Sequence, residues 1–266
     1  MRRISWFEKI RSRMIFVLPT RARLVALGVI AAIAVGQPAC SNLKSVQAQQ
    51  GRREVLELGK VTRKRQIAPV CSDAGWLTRP DRDATEQPEK VLDALNIREG
   101  ATVADVGAGV GYFTWRLAQR VGPKGKVIAV DVQQKMLDLM AEELKRRNIS
   151  NVEMVLGGLR DPHLPESVVD LALLVDVYHE LSEPELIMGH IRRSLKPDGR
   201  LVLVEYRKED PSIPILPLHK MSTEEVRSEL EPLGFEFRQA MEFLPTQHIL
   251  IFTRKPLEAE KAGLSP

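Results

Sequence analysis

The sequence predicts a doubly wound α/β fold, an open and mostly parallel sheet with helices on both faces and an antiparallel hairpin at one edge. Three observations carry this reading. From residue 88 onward, short apolar runs alternate with segments of helical spacing. The first run ends in a glycine-rich turn, Gly107-Ala108-Gly109-Val110-Gly111. Two late runs, 235–241 and 248–253, stand too close together for a crossover connection and so pair antiparallel.

The elements follow in order. Pro88 opens a short helix over 88–94, with Val91, Leu92 and Leu95 on one side. Residues 102–106 are a short apolar run ending in glycine, a buried strand. A helix over 113–121 and a second strand over 127–130 follow. Residues 134–147 place Met136, Leu137, Met140 and Leu144 at helical spacing. Strands are expected at 152–156 and 169–177. The helix over 184–195 turns Leu186, Ile187, Ile191 and Leu195 inward, and Lys196-Pro197-Asp198-Gly199 stops it. A fifth strand spans 200–205. Ser222 and Glu225 have the spacing of a capping box for a helix that ends at Gly234.

Composition bounds the function. Hydrophobic residues make up 44% and charged residues 28% of the 266, which excludes wholesale disorder and fibrous repeats. Aromatic residues are only 5%, too few for rows of base-stacking platforms. The net charge of +4 misleads. Residues 1–48 hold eight Lys/Arg against one acid, Glu8, leaving 31 bases and 34 acids in the remainder. The basic character therefore belongs to the leader, and no nucleic-acid partner is expected for the body. Two cysteines, Cys40 and Cys71, make neither a zinc ribbon nor a disulfide framework.

The leader has the order of a secretory signal: a basic stretch to Arg23, an apolar run over 24–35, and small-residue sites near Ala39-Cys40 and Ala48. The apolar run is short for a membrane span, which takes about 20 residues. Residues 1–48 are read as a signal peptide or membrane-anchoring leader. That makes the protein exported or anchored in the cell envelope, with membrane association through the leader; the alternative is a cytoplasmic protein. Residues 49–75 read as a solvated tether, 76–254 as the folded domain and 255–266 as a flexible tail.

The functional signal lies at the first two strands. Asp105 and Val106 run into Gly107, Gly109 and Gly111, so the backbone can turn sharply and approach a ligand. A dinucleotide fingerprint would put a glycine at Tyr112, which argues against a nicotinamide-dependent oxidoreductase. The second strand ends in Asp131, placed to accept hydrogen bonds from both ribose hydroxyls of a nucleoside.

Residues 103–114 resemble motif I of the class I S-adenosylmethionine (SAM)-dependent methyltransferases. Val127-Ile128-Ala129-Val130-Asp131 resembles their second motif. Leu195-Lys196-Pro197-Asp198-Gly199-Arg200 and Pro232-Leu233-Gly234-Phe235 are similar to the turns before their strands five and six. The resemblance covers roughly residues 80–254 and is closest to the methyltransferase-11-like group. It implies a Rossmann-like, seven-stranded sheet and SAM as cofactor. It further implies that Gly107, Gly109 and Gly111 line the amino-acid part of SAM, that Asp105 holds its amino group, that Asp131 binds the ribose and that Val132 packs beside the adenine. Where the group often has Gly-Asp-Ala, this chain has Gly157-Gly158-Leu159-Arg160-Asp161, and Asp161 stands in for the missing acid.

The fourth strand ends Asp176-Val177-Tyr178-His179-Glu180, and in this fold that end faces the methyl group. His179 is the candidate base, with packing beside SAM as the alternative, and Asp176 is a candidate SAM contact. His179, Glu180, Glu205 and His219 suit a divalent metal chemically, yet no H-E-x-x-H motif is present. Polar groups lining a substrate pocket are the reading adopted, and no metal is expected. The proline-rich 207–221 loop, with Ile213, Ile215 and Leu218, is expected to pack over the pocket, and residues 76–88 to cap it. These features point to a methyltransferase acting on a small-molecule acceptor, with a non-enzymatic SAM- or metabolite-binding envelope protein as the rival.

Overall fold

In a computed structural model, the described residues are 61, 63 and 65–256. The expected leader, and all but the first two residues of the expected tail, lie outside them. Three helices come first: α1 (Ala74–Leu77), α2 (Arg82–Glu86) and α3 (Pro88–Leu95). Asp73 caps α1 by accepting from the Gly75 and Trp76 amides, and Pro88 starts α3 where its missing N–H costs nothing. The alternation then runs β1 (Thr102–Val106), α4 (Thr114–Val121), β2 (Lys126–Asp131), α5 (Gln134–Arg146), β3 (Val152–Leu156), β4 (Val169–Val175), α6 (Pro184–Ser194) and β5 (Leu195–Arg207). The chain closes with β6 (Lys220–Met221), α7 (Thr223–Leu230), β7 (Phe235–Met241) and β8 (Gln247–Arg254). Ser222 and Glu225 form the expected capping box.

The strand order is β3-β2-β1-β4-β5-β8-β7. The first five strands are parallel, and β8 runs antiparallel to both β5 and β7. From β1 the chain winds outward to β3, then returns to β4 on the other side. The crevice between β1 and β4 is therefore the switch point, where carboxyl strand ends splay open. One face of the sheet is covered by α6 and α7, packing Ile187, Ile191, Val226 and Leu230 against Leu203 and Phe252. The other is covered by α3 and α4, with Leu92, Leu95 and Leu117 against Val103 and Leu171. Among the described residues no helix is long and apolar enough to cross a membrane.

Three details differ from the sequence expectation. The sheet has eight strands rather than seven, because β6 pairs with the end of β5 at Tyr206 and Arg207. The Lys196–Gly199 turn sits inside β5 as a bulge: Val169 faces Leu195, and Leu171 faces Arg200. Most important, the 49–75 stretch is anchored to the domain at several of its described residues rather than solvated throughout. Ala68 is buried and its amide donates to the His179 carbonyl at 3.3 Å. The Arg63 and Arg65 guanidiniums reach across to the buried Glu229 carboxylate on α7 at 3.1 and 3.0 Å. A basic stretch that looks solvated in sequence is held by an acid more than 160 residues away.

Glu229→Ala strands two largely buried guanidiniums. Removing one side of a buried pair costs about 3–5 kcal/mol. Denaturant unfolding should show a loss of that order, and trypsin should cut faster at Arg63 and Arg65 in the folded protein. A variant as stable and as resistant as the wild type would mean that the strap is not held by these pairs.

Candidate functional site

A cavity of about 480 Å³ opens at the carboxyl ends of β1, β2 and β4. Its floor is the turn after β1. Gly107 takes φ +75°, and a Cβ there would stand 2.4 Å from a Val177 methyl carbon, so a side chain at this position is strained and fits only if Val177 shifts. The Gly107 and Ala108 amides donate to the Val130 carbonyl at 2.8 and 3.0 Å, which locks the turn to β2. At the tip of β2, Asp131 is buried and accepts from the Gly109 amide at 2.8 Å and the Gln133 amide at 2.8 Å. Burial raises its pKa, and those amide bonds oppose the rise.

The cavity brings together Gly107, Gly109, Asp131, Val132, Asp176 and His179 from the expected set. Three others do not line it. Gly111, at φ +84°, instead lets α5 approach: a Cβ there would meet Met140 at 2.6 Å. Asp105 lies buried behind the turn, where it accepts from the Thr114 hydroxyl at 2.6 Å. Asp161 accepts from the His163 amide at 2.8 Å and faces His190 at 3.5 Å, so its carboxylate serves its own loop. Its neighbours Gly158, Leu159 and Pro162 line the cavity in its place.

At the end of β4, Asp176 adopts φ +52°, a left-handed conformation uncommon for a residue with a side chain. Its Oδ2 accepts from Gln247 at 2.8 Å, while its Oδ1 is buried with no hydrogen-bond partner. Burial, followed by the Glu86 and Glu205 charges, holds its pKa well above the ordinary value. His179 is buried in the turn that follows β4, and its Nδ1 lies 2.6 Å from Oε2 of the fully buried Glu205 on β5. The other Glu205 oxygen accepts from the Tyr178 amide at 2.9 Å. His179 Nε2 faces His219 Nδ1 at 3.1 Å, the rings standing edge to face. Burial alone would lower the His179 pKa, but the Glu205 carboxylate beside it turns the net shift upward. Glu180 accepts from the Cys71 amide at 3.1 Å, and burial raises its carboxyl to about 7.

The walls come from flanking segments. Val70 and Cys71 of the docked strap, Trp76 and Leu77 of α1, and Ile215 and Leu216 of the 207–221 loop give the cavity an apolar rim. That loop packs over the pocket as its composition suggested, and residues 76–88 contribute to the cap. Arg79 and Arg82 clamp the buried Glu86 at 2.6 and 2.9 Å, and Arg79 also reaches the Tyr206 hydroxyl at 3.4 Å. Among the lining residues that sequence reasoning does not single out are those of the strap, Glu86 and Gln133. Glu86 sits four residues from Arg82 and seven from Arg79, a spacing that hints at the clamp; nothing local marks the strap.

A family described as a methyltransferase domain matches residues 97–242, more than half of the chain. A SAM-dependent methyltransferase of known structure from Aquifex aeolicus is 32% identical with a TM-score of 0.63, covering 66% of this chain and 94% of that one. A putative type 11 methyltransferase from Sulfolobus solfataricus shares the fold at 20% identity and a TM-score of 0.53, over 64% of this chain and 94% of that one. The ubiquinone/menaquinone biosynthesis C-methyltransferase UbiE of Escherichia fergusonii is 31% identical over 118 residues, 44% of this chain and 47% of the relative. An uncharacterized 37.1 kDa protein in transposon TN4556 of Streptomyces fradiae is 36% identical over 117 residues, 43% of this chain and 33% of the relative. The chain thus spans a third to about half of the length of these curated relatives.

One electrostatic consequence of the site is open to measurement. Burial pushes the Asp105 carboxyl up to about 6; the Thr114 hydroxyl opposes the shift and the Asp131 charge adds to it. The folded protein therefore keeps this proton at a pH where the unfolded chain, near the ordinary 3.8, has released it. Stability from this group is lost as pH rises between those two values. Asp105→Asn should exceed the wild type at pH 7 by on the order of 1–3 kcal/mol. The difference should fade by about pH 4, where the folded wild type is protonated as well. Urea unfolding at both pH values tests this, and an Asn variant no more stable at pH 7 would contradict it.

Proposed function

Because the chain belongs to the SAM-dependent methyltransferases, we propose that it methylates a small, partly apolar acceptor, and that cofactor and acceptor meet in the cavity at the ends of β1, β2 and β4. SAM, when bound, supplies a methyl group activated by its attachment to a sulfonium. The residues present suit it. The glycine turn leaves room for close backbone approach, and Asp131 offers carboxylate oxygens where a ribose would need acceptors. Val132 is exposed enough to pack against an adenine. The unpartnered Oδ1 of Asp176 is an acceptor awaiting a donor or a cation. Asp105, behind the turn, is held by the Thr114 hydroxyl rather than lining the cavity.

The observation that carries the acceptor class is the continuity of one cavity from the glycine turn to the apolar rim of Trp76, Ile215 and Leu216. Its volume is in the range of small-ligand sites. The rim excludes water from the methyl path and aligns the acceptor, which is most of what an in-line displacement requires. Where the acceptor carries a proton, the His179–His219 pair is placed to take it: Glu205 anchors Nδ1–H of His179, and Nε2, which faces His219 Nδ1 at 3.1 Å, is the basic nitrogen on the cavity side.

Calorimetry of the full-length chain should show binding of SAM and of S-adenosylhomocysteine. Asp131→Ala should weaken both by about 10–100-fold, the cost of losing charged hydrogen bonds worth roughly 1.5–3 kcal/mol. A folded protein that binds neither compound would remove the proposal.

A further inference from the structure

We infer that His179, Glu180 and His219 form a binding site for a divalent transition-metal ion of the zinc class, at the acceptor end of the cavity. One donor atom from each of the three lies within 4.8 Å of the other two. The two imidazole nitrogens that face each other, His179 Nε2 and His219 Nδ1, are 3.1 Å apart. Two imidazoles bound side by side on one ion, each at about 2.0–2.1 Å, put their nitrogens roughly 2.9–3.4 Å apart. The pair is already spaced to grip an ion.

His179 is also held as a metal-bound histidine is held. Its far nitrogen rests on a buried carboxylate, Glu205, which is itself fixed by the Tyr178 amide. Such a carboxylate behind the ring fixes the tautomer, points the remaining lone pair outward and raises its basicity. His219 comes from a different segment, the short turn Pro217–His219 just before β6. The pairing of β6 with the end of β5 fixes that turn beside the strand that carries Glu205. Glu180 adds an oxygen ligand, steadied through the Cys71 amide of the strap. Two imidazoles and one carboxylate suit zinc, cobalt, manganese or iron rather than the all-oxygen preference of calcium or magnesium.

All three residues line the cavity, so coordination positions not filled by protein would face the acceptor. Three protein ligands with open positions are the arrangement of catalytic rather than structural ions. The inference rests on the methyl-transfer reading only for what the ion does. It would take an acceptor's hydroxyl or enol oxygen and lower that oxygen's pKa, replacing the activation that His179 alone would give. The oxygen's proton goes to solvent. Its electron pair forms the new bond to the methyl carbon, and the pair of the broken carbon–sulfur bond stays on sulfur.

The test uses the full-length protein, stripped with a chelator and then titrated with Zn²⁺ and with Co²⁺, the latter read by its visible ligand-field bands. His219→Ala and Glu180→Gln are chosen because neither residue is fully buried. The wild type should hold one ion per chain, and each variant should lose affinity by at least about 10–100-fold, the loss that even outer-shell changes cause. SAM affinity, measured separately, should stay within a few-fold. Ion binding that survives while SAM binding is absent would uphold the metal site and sink the methyl-transfer reading. A wild type that takes up less than about a tenth of an equivalent, or variants that bind the ion as well as it does, would overturn the metal site.

Discussion

Four carboxylates, Glu86, Asp105, Asp131 and Glu205, are buried beside a single cavity, and the cost of removing them from water governs the design around it. Each is compensated differently. Glu86 has two guanidiniums. Asp131 has two backbone amides. Glu205 has an amide and an imidazole. Asp105 has one hydroxyl and is the least supported, and its carboxyl is accordingly pushed up to about 6. With Asp176 and Glu180 partly buried nearby, the cavity has far more acid than a neutral ligand would need.

Those acids can be assembled only because the topology places strand ends together. β1 lies between β2 and β4, so Asp131 and Asp176 flank the glycine turn although 45 residues separate them in the chain. The turn has little freedom. Gly107 fits under Val177, and Gly111 fits against Met140. The two glycines serve opposite purposes at similar φ: one opens the cavity floor, the other brings α5 onto the sheet.

That distinction marks how far the sequence could be read. The strand–helix order, the glycine turn, Asp131 and the Ser222 capping box are local signals, and each appears where expected. The resemblance places Gly111 beside the ligand, and spacing alone cannot reveal that its missing Cβ faces Met140 instead. Asp161 reads as a replacement for an absent acid, but a short loop gives its carboxylate a nearer partner in the His163 amide. The strap carries no local signal, because Arg63 and Arg65 look like solvated charge until Glu229 is brought to them by α7. Two-residue β6 carries no periodicity at all, yet it sets the position of His219.

The roof of the cavity shows why such a loop can still be specific. Lys220 is almost fully buried, and its ammonium donates to the carbonyls of Asp210 and Ile213 at 3.1 and 2.7 Å. One charged side chain thereby ties the two ends of the apolar segment that overhangs the pocket. Its neighbour His219 is drawn into line with His179 by the same short pairing of β6 with β5. A buried lysine is costly unless its donors are used, so the segment cannot swing away without leaving that charge unsatisfied. The rim that meets the acceptor and the histidine that faces His179 are therefore positioned by one constraint, and a change in either would be felt by the other.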